Sequence, residues 1–282
     1  VQKSELYIAF NNQTPPERIT AWQVALDSLK KDGTYGAILA RYGLAESPAS
    51  PVASGASYIG EEAALSAIMA LADSQFRDIA TSLEALAMTS EAKDANWEEI
   101  RPLLTALEQR TGQARFWYAL PDGSYYTTVD NLTTANLASR PYFPVVLGGN
   151  TSIGSVVVSH STGRTTGIVA VPIVDGKGNV TGVLGSSVYL DMLSSNLSRS
   201  LPLPGTMYFF ALDGDGIATL HSQSEQIGRQ MTTQGTPAEI EAFAAVMAQD
   251  EGQVTYVSGG VQHSIIFHAS PITGWKYGIG TK

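Results

Sequence analysis

The chain has 282 residues, 44% of them hydrophobic, which is enough for one large core or two smaller ones. A net charge of −9 with only 15% charged residues excludes the basic footprint that nucleic acid or an anionic membrane surface requires. The absence of cysteine excludes a disulfide framework and thiolate metal sites.

The opening residues, VQKSELYIAF, show neither a charged region followed by an apolar run nor a small-residue cleavage pattern, so no signal peptide is visible. No apolar run reaches the ~18 residues a spanning helix needs, so any membrane contact is expected only through segments absent from this chain. Val1 in place of Met fits processing or excision. Asn-x-Ser/Thr triplets at Asn12, Asn131, Asn150, Asn179 and Asn196 are what chance gives in a Ser/Thr-rich chain.

Residues 5–11, LYIAFNN, read as a strand; Thr14, Pro15, Pro16 and Glu17 start a helix that ends at Gly33, and TYGAILARYG follows as a second. Residues 46–57, ESPASPVASGAS, are a linker by composition. Residues 58–96 hold a long helix, running from about Tyr58 to Ala92, with Leu65, Ile68, Ala72, Phe76, Ile79, Leu83 and Leu86 three or four apart. That stripe serves packing on its own domain or a homodimer seam. Trp97 to Thr111 is a second amphipathic helix, stopped by Gly112.

Strands are then expected over Arg115–Leu120 and Ser124–Val129, around the turn Pro121-Asp122-Gly123. Ser139 can cap a helix beginning at Arg140, with Pro141 in its first turn and Gly148-Gly149 at its end. Three strands follow, Ile153–Ser159, Thr166–Val174 and Asn179–Val188, giving five strands and an inserted helix. Beyond a helix over Tyr189–Ser200 the order repeats: strands Thr206–Leu212 and Ile217–His221, a helix near Ala238–Gln249, and strands near Gln253–Val257, Ser264–Ala269 and Trp275–Gly280. The fold class is therefore α+β, a long N-terminal helix followed by two similar antiparallel-sheet units at residues 97–200 and 201–282.

Several segments resemble one family. WYALPDGSYYT, LASRPYF, SHSTG, VAVPIVDGKGNVTGVLGSSVYLD, ALDGDGIATLHSQSEQIG and TGWKYGIG are similar to segments of double Cache (dCache) sensor domains, and together they cover roughly residues 58–282. The resemblance implies that the two units are PAS-like antiparallel sheets behind the long N-terminal helix, a double Cache fold, and that the chain is an extracytoplasmic, periplasmic or cell-surface, sensor module of a chemoreceptor, histidine kinase or diguanylate cyclase. It places a small-molecule ligand in the membrane-distal unit, residues 97–200, and makes 201–282 membrane-proximal. Separately, residues 5–44 resemble the C-terminal tail of type 2 periplasmic solute-binding proteins. Without the preceding two-lobed body, residues 1–45 are read as a remnant docked on the next domain or as a truncation artefact.

Arg140 at a helix start would aim a guanidinium fork and free backbone N–H groups at an anion, most simply a carboxylate. By the family pattern of Arg, any residue, then two aromatics, Tyr142 offers a hydroxyl and a ring face while Phe143 packs. Trp117 and Tyr126 come from the hairpin, where alternation lets only part of the aromatic set line a cavity. Relatives that bind α-amino acids carry acids on the third and fifth strands; the matching places here hold His160, or Ser159 if the register slips by one, and Ser187. With both acids missing, an ammonium group would have no charge partner, so an organic acid or small polar compound is expected in place of an ordinary α-amino acid.

Catalysis is not expected, because His160 and Ser161 point to opposite faces of a strand and no G-x-S-x-G elbow, P-loop or HExxH motif occurs. No cofactor is implied. Asp213-Gly-Asp-Gly lacks the third acid and closing glutamate of an EF-hand loop, and His221 reads as a strand residue of the second unit. The alternative to a sensor is a structural or dimerisation Cache module with no physiological small ligand.

Overall fold

Helix α1 (Glu61–Ala87) is the longest element of the computed structural model, which describes residues 60–159 and 163–282. The tail and linker expected over residues 1–57, and His160, lie outside the described residues. Glu61 and Glu62 sit in the first turn of α1, where acids complement the helix dipole. All seven residues of its apolar stripe are buried, and the helix packs against both sheets of the domain. The stripe is thus consumed internally, and a helix-to-helix dimer would have to use the opposite face.

The expected run to Ala92 is broken. Thr89 takes an extended conformation, ψ 159°, and its Oγ1 accepts from Ala92 N at 3.3 Å, capping the one-turn helix α2 (Ser90–Lys93). Helix α3 (Trp97–Thr111) has the expected bounds. Asn96 caps it, accepting from Glu98 N at 3.2 Å, and Gly112 leaves it at φ 68°.

The first antiparallel sheet has the order β3-β2-β1-β6-β5-β4, built from β1 (Ala114–Ala119), β2 (Ser124–Thr127), β3 (Asn131–Asn136), β4 (Ser152–Val158), β5 (Thr165–Val174) and β6 (Val180–Tyr189). It therefore has six strands where five were expected. Strand β3, NLTTAN, is an edge strand with no fully buried residue. Helix α4 (Tyr142–Leu147) is inserted between β3 and β4, and α5 (Leu190–Ser200) leads on to the second sheet.

The second sheet has the order β8-β7-β11-β10-β9, from β7 (Met207–Leu212), β8 (Ala218–His221), β9 (Glu251–Ser258), β10 (Val261–Ala269) and β11 (Lys276–Thr281), with α6 (Pro237–Met247) between β8 and β9. In both sheets the first strand of the unit pairs with its last at the centre, β1 with β6 and β7 with β11.

One core lies between α1 and the inner faces of both sheets, holding Phe76, Phe116, Tyr118, Leu184, Phe209, Trp275 and Tyr277. Each fully buried Leu, Ile or Phe there contributes about 1.5–3 kcal/mol relative to exposure. Polar contacts add direction. Trp275 Nε1 donates to the Gly154 carbonyl at 2.8 Å, joining the second unit to β4, and Phe76 meets the Trp275 ring edge-on, with centroids 5.1 Å apart. The buried carboxylate of Asp73 accepts from Ser270 Oγ at 2.9 and 2.8 Å and from the Tyr277 hydroxyl at 3.3 Å. Opposite faces carry separate cores, one of Trp117, Tyr142, Phe143 and Val146 around α4, the other of Phe210, Phe243, Val246 and Phe267 around α6.

Candidate ligand-binding site

Strand alternation decides which side chains face the outer pocket of the first sheet. Along β1, Phe116 and Tyr118 point into the α1 core, so Arg115 and Trp117 point the other way. On β2 the outward pair is Tyr125 and Thr127; on β6 it is Ser187 and Tyr189; Ile168 on β5 and Val157 on β4 complete the floor. Leu137, Arg140, Tyr142 and Ser159 close the sides. The enclosed volume is about 30 Å³, room for two or three waters.

Of the expected site residues, Arg140, Tyr142, Trp117, Ser159 and Ser187 are brought together around this pocket. Tyr126 is not. It faces the other side of the sheet, stacked on Trp97 at 5.2 Å and on Tyr118 at 6.1 Å. The period-two rule requires this once Tyr125 faces outward. Arg115, Tyr125, Thr127 and Tyr189 line the pocket without having been singled out from the sequence. Arg115 had a signal, since it sits two residues before Trp117 on the same strand.

Arg140 does not lie in the first turn of a helix. Its N–H closes a turn onto the Leu137 carbonyl at 2.9 Å, Pro141 is the N-cap of α4, and Ser139 makes no cap. Pro141 cannot donate; its backbone is already helical, φ −56° and ψ −33°, and the helix proper runs from Tyr142. What fixes the guanidinium is Nη2 donating to the Val158 carbonyl at 2.8 Å, which ties Arg140 to the end of β4.

The other cation is balanced from behind. Arg115 Nη1 lies 3.0 Å from Glu108 Oε1 on α3. Tyr189 lies under the Arg164 guanidinium, 4.0 Å from ring centroid to Cζ, and Arg164 pairs with Asp191 at 2.5 Å. Trp117 Nε1 donates to Ser187 Oγ at 3.2 Å, leaving the serine O–H to donate in turn. The indole can lie flat because its cross-strand neighbour on β6 is Gly185; a Cβ there would stand inside the Trp117 ring. Burial pushes the Tyr142 phenol well above its ordinary range, so it stays a neutral donor and acceptor. The lining described thus holds two guanidiniums, neutral hydroxyls and an indole, and no carboxylate.

A sequence profile of the Cache domain family matches residues 56–282. No curated protein matches the sequence. Among solved structures, the sensor domain of the V. cholerae histidine kinase DctB is similar at 14% identity, with a TM-score of 0.60 over 78% of this chain and 95% of that one. The ligand-binding domain of the Pseudomonas aeruginosa PAO1 amino acid chemoreceptor PctB, in complex with L-Arg, is 18% identical, TM-score 0.58, over 79% and 92% of the two chains. That of the Campylobacter jejuni chemoreceptor Tlp3, in complex with L-valine, is 11% identical, TM-score 0.55, over 78% and 90%. At these identities the likeness is one of fold.

Proposed function

The chain belongs to the Cache domain family of extracytoplasmic ligand-sensing domains carried by membrane receptors, and from that premise we propose that its first-sheet pocket reads a short organic carboxylate. The observation that carries this is the charge of the lining: Arg140 faces the pocket and, among the described residues, has no acid paired with it. A carboxylate would take charge-assisted bonds from Arg140 and further donors from Ser187 and Tyr142. An α-amino acid would bring an ammonium group to a lining without an acid, and its desolvation would go uncompensated. The volume of about 30 Å³ restricts any such acid to the shortest. We read the unit of residues 97–200 as membrane-distal and that of 201–282 as membrane-proximal, with sensing, not turnover, as the activity.

The test is thermal unfolding with propionate against alanine, which differ by one ammonium group. Propionate should raise the melting temperature and alanine should not. Arg140→Ala should abolish that rise while leaving the unliganded melting temperature nearly unchanged, because the side chain makes one bond at the surface. The small volume also favours a second reading, a structural Cache module without a ligand. Failure of every short acid to stabilise the protein would select it.

A further inference from the structure

The second unit carries a larger cavity, of about 300 Å³, on the outer face of its sheet beside α6, the same relative place as the first pocket beside α4. We propose that this cavity is a second, independent ligand site and that it takes a small aromatic monocarboxylate.

The walls are aromatic. Tyr208 on β7 stacks with His221 on β8, ring centroids 5.6 Å apart, and Tyr256 on β9 stacks with His263 on β10 at 5.0 Å and 13°. Burial raises both phenols, Tyr208 and Tyr256, above their ordinary range, so each stays a neutral hydroxyl on the cavity wall. The Tyr208 ring lies over Gly280 on the central strand β11, where a Cβ would stand inside it. Phe243 of α6 supplies an apolar side. Flat faces of this kind suit a planar ring.

The polar groups are mostly donors. His221 Nδ1 accepts from Gln223 N at 2.9 Å, so the ring hydrogen sits on Nε2. Burial holds this imidazole down to about 4, neutral at physiological pH. Arg229 is oriented by a bond to Gln226 Oε1. The one carboxylate of the lining, Glu239, is already committed to its own helix start, accepting from Thr236 N at 2.8 Å and Thr236 Oγ1 at 3.0 Å. Arg229 and Lys282 stand on the same lining; Arg229 is near enough to His221 to act on its imidazole, as Glu225 is from beside the lining. His263 Nδ1 is buried and has no hydrogen-bond partner among the described residues. A guanidinium with a neighbouring imidazole N–H is a carboxylate clamp, and the stacked rings beside it hold the ring of the acid.

The experiment is isothermal titration of the whole chain with benzoate, benzyl alcohol and benzylamine, which share a ring and differ in charge. Benzoate should bind, with the other two much weaker. Arg229→Gln should weaken benzoate by roughly tenfold or more, the loss expected for one charge-assisted contact, and Tyr256→Leu should weaken all three. Arg140→Ala, in the first pocket, should leave benzoate binding unchanged, which separates this site from the one proposed above. Absence of benzoate binding, preference for benzylamine, or loss of binding in Arg140→Ala with retention in Arg229→Gln would each overturn the assignment.

Discussion

Asp73 offers the sharpest test of how α1 is fastened to the second unit. It is 7% exposed, and its partners Ser270 and Tyr277 are 3% and 0% exposed. Replacing it with alanine leaves two buried hydroxyl donors without an acceptor, about 1–3 kcal/mol each, partly offset by removing a desolvated carboxylate. The expected net cost of Asp73→Ala is about 2–4 kcal/mol. Asp73→Asn keeps an Oδ1 that both hydroxyls can reach and should lie within about 1 kcal/mol of the parent. The pH dependence has a definite sign. Burial raises the Asp73 carboxyl above its ordinary 3.8, opposed in part by hydrogen bonds from Ser270 and Tyr277 and by Arg77. A raised folded-state pKa means that the group's contribution is complete below the unfolded value and is lost as pH rises through the folded one. The parent should therefore gain stability on Asp73→Asn as pH falls from neutral towards 3.8. Urea unfolding of the three proteins at a series of pH values reads both effects. An Asp73→Ala protein within about 0.5 kcal/mol of the parent, or an Asp73→Asn protein as unstable as Asp73→Ala, would refute the reasoning.

Two further substitutions probe the pocket and the join between the units. Gly185→Ala should push the Trp117 indole off β6 and break its bond to Ser187, costing about 1–3 kcal/mol in overpacking and about 1 kcal/mol for the bond. Near-UV circular dichroism and urea midpoints would register it, and an unchanged spectrum with unchanged stability would count against the packing described. Trp275→Phe keeps a ring against Phe76 but removes the donor to the Gly154 carbonyl. A loss of about 1–3 kcal/mol by the same unfolding measurement is expected, and none would mean that water takes the donor's place.

Much of the fold was legible because its elements carry their own signals. The α1 stripe repeats at helical spacing, Asn96 and Gly112 bracket α3, and Asp-Gly turns separate the paired strands. What failed to show was structure held by ladder hydrogen bonds alone. Strand β3 buries nothing fully, so NLTTAN has no hydrophobic phase to read. At Thr89 a helix propensity gave way to a side-chain cap, and at Arg140 a Ser-Arg-Pro sequence that reads as a helix start proved to be the turn before one. The Tyr126 placement failed for another reason. Tyr125 and Tyr126 are adjacent aromatics on β2, and residue type alone does not disclose which of the two faces the α1 core and which the pocket.

The weak internal repeat follows from how the two sheets use one scaffold. Arg115 pairs with Ser187 and Trp117 with Gly185 in the first sheet; Tyr208 pairs with Gly280 and Phe210 with Gly278 at the corresponding places in the second. A bulky ring over a central-strand glycine is common to both, at Trp117 over Gly185 and Phe210 over Gly278. The next register position outward differs: a guanidinium opposite a serine in one unit, a phenol over a second glycine in the other. Inward-facing positions must satisfy the same core, whereas these outward ones are free to define separate ligands. Two units can therefore share every strand pairing at the centre of their sheets and still show little residue identity, with chemistry diverging where β1 and β6, or β7 and β11, open onto their pockets.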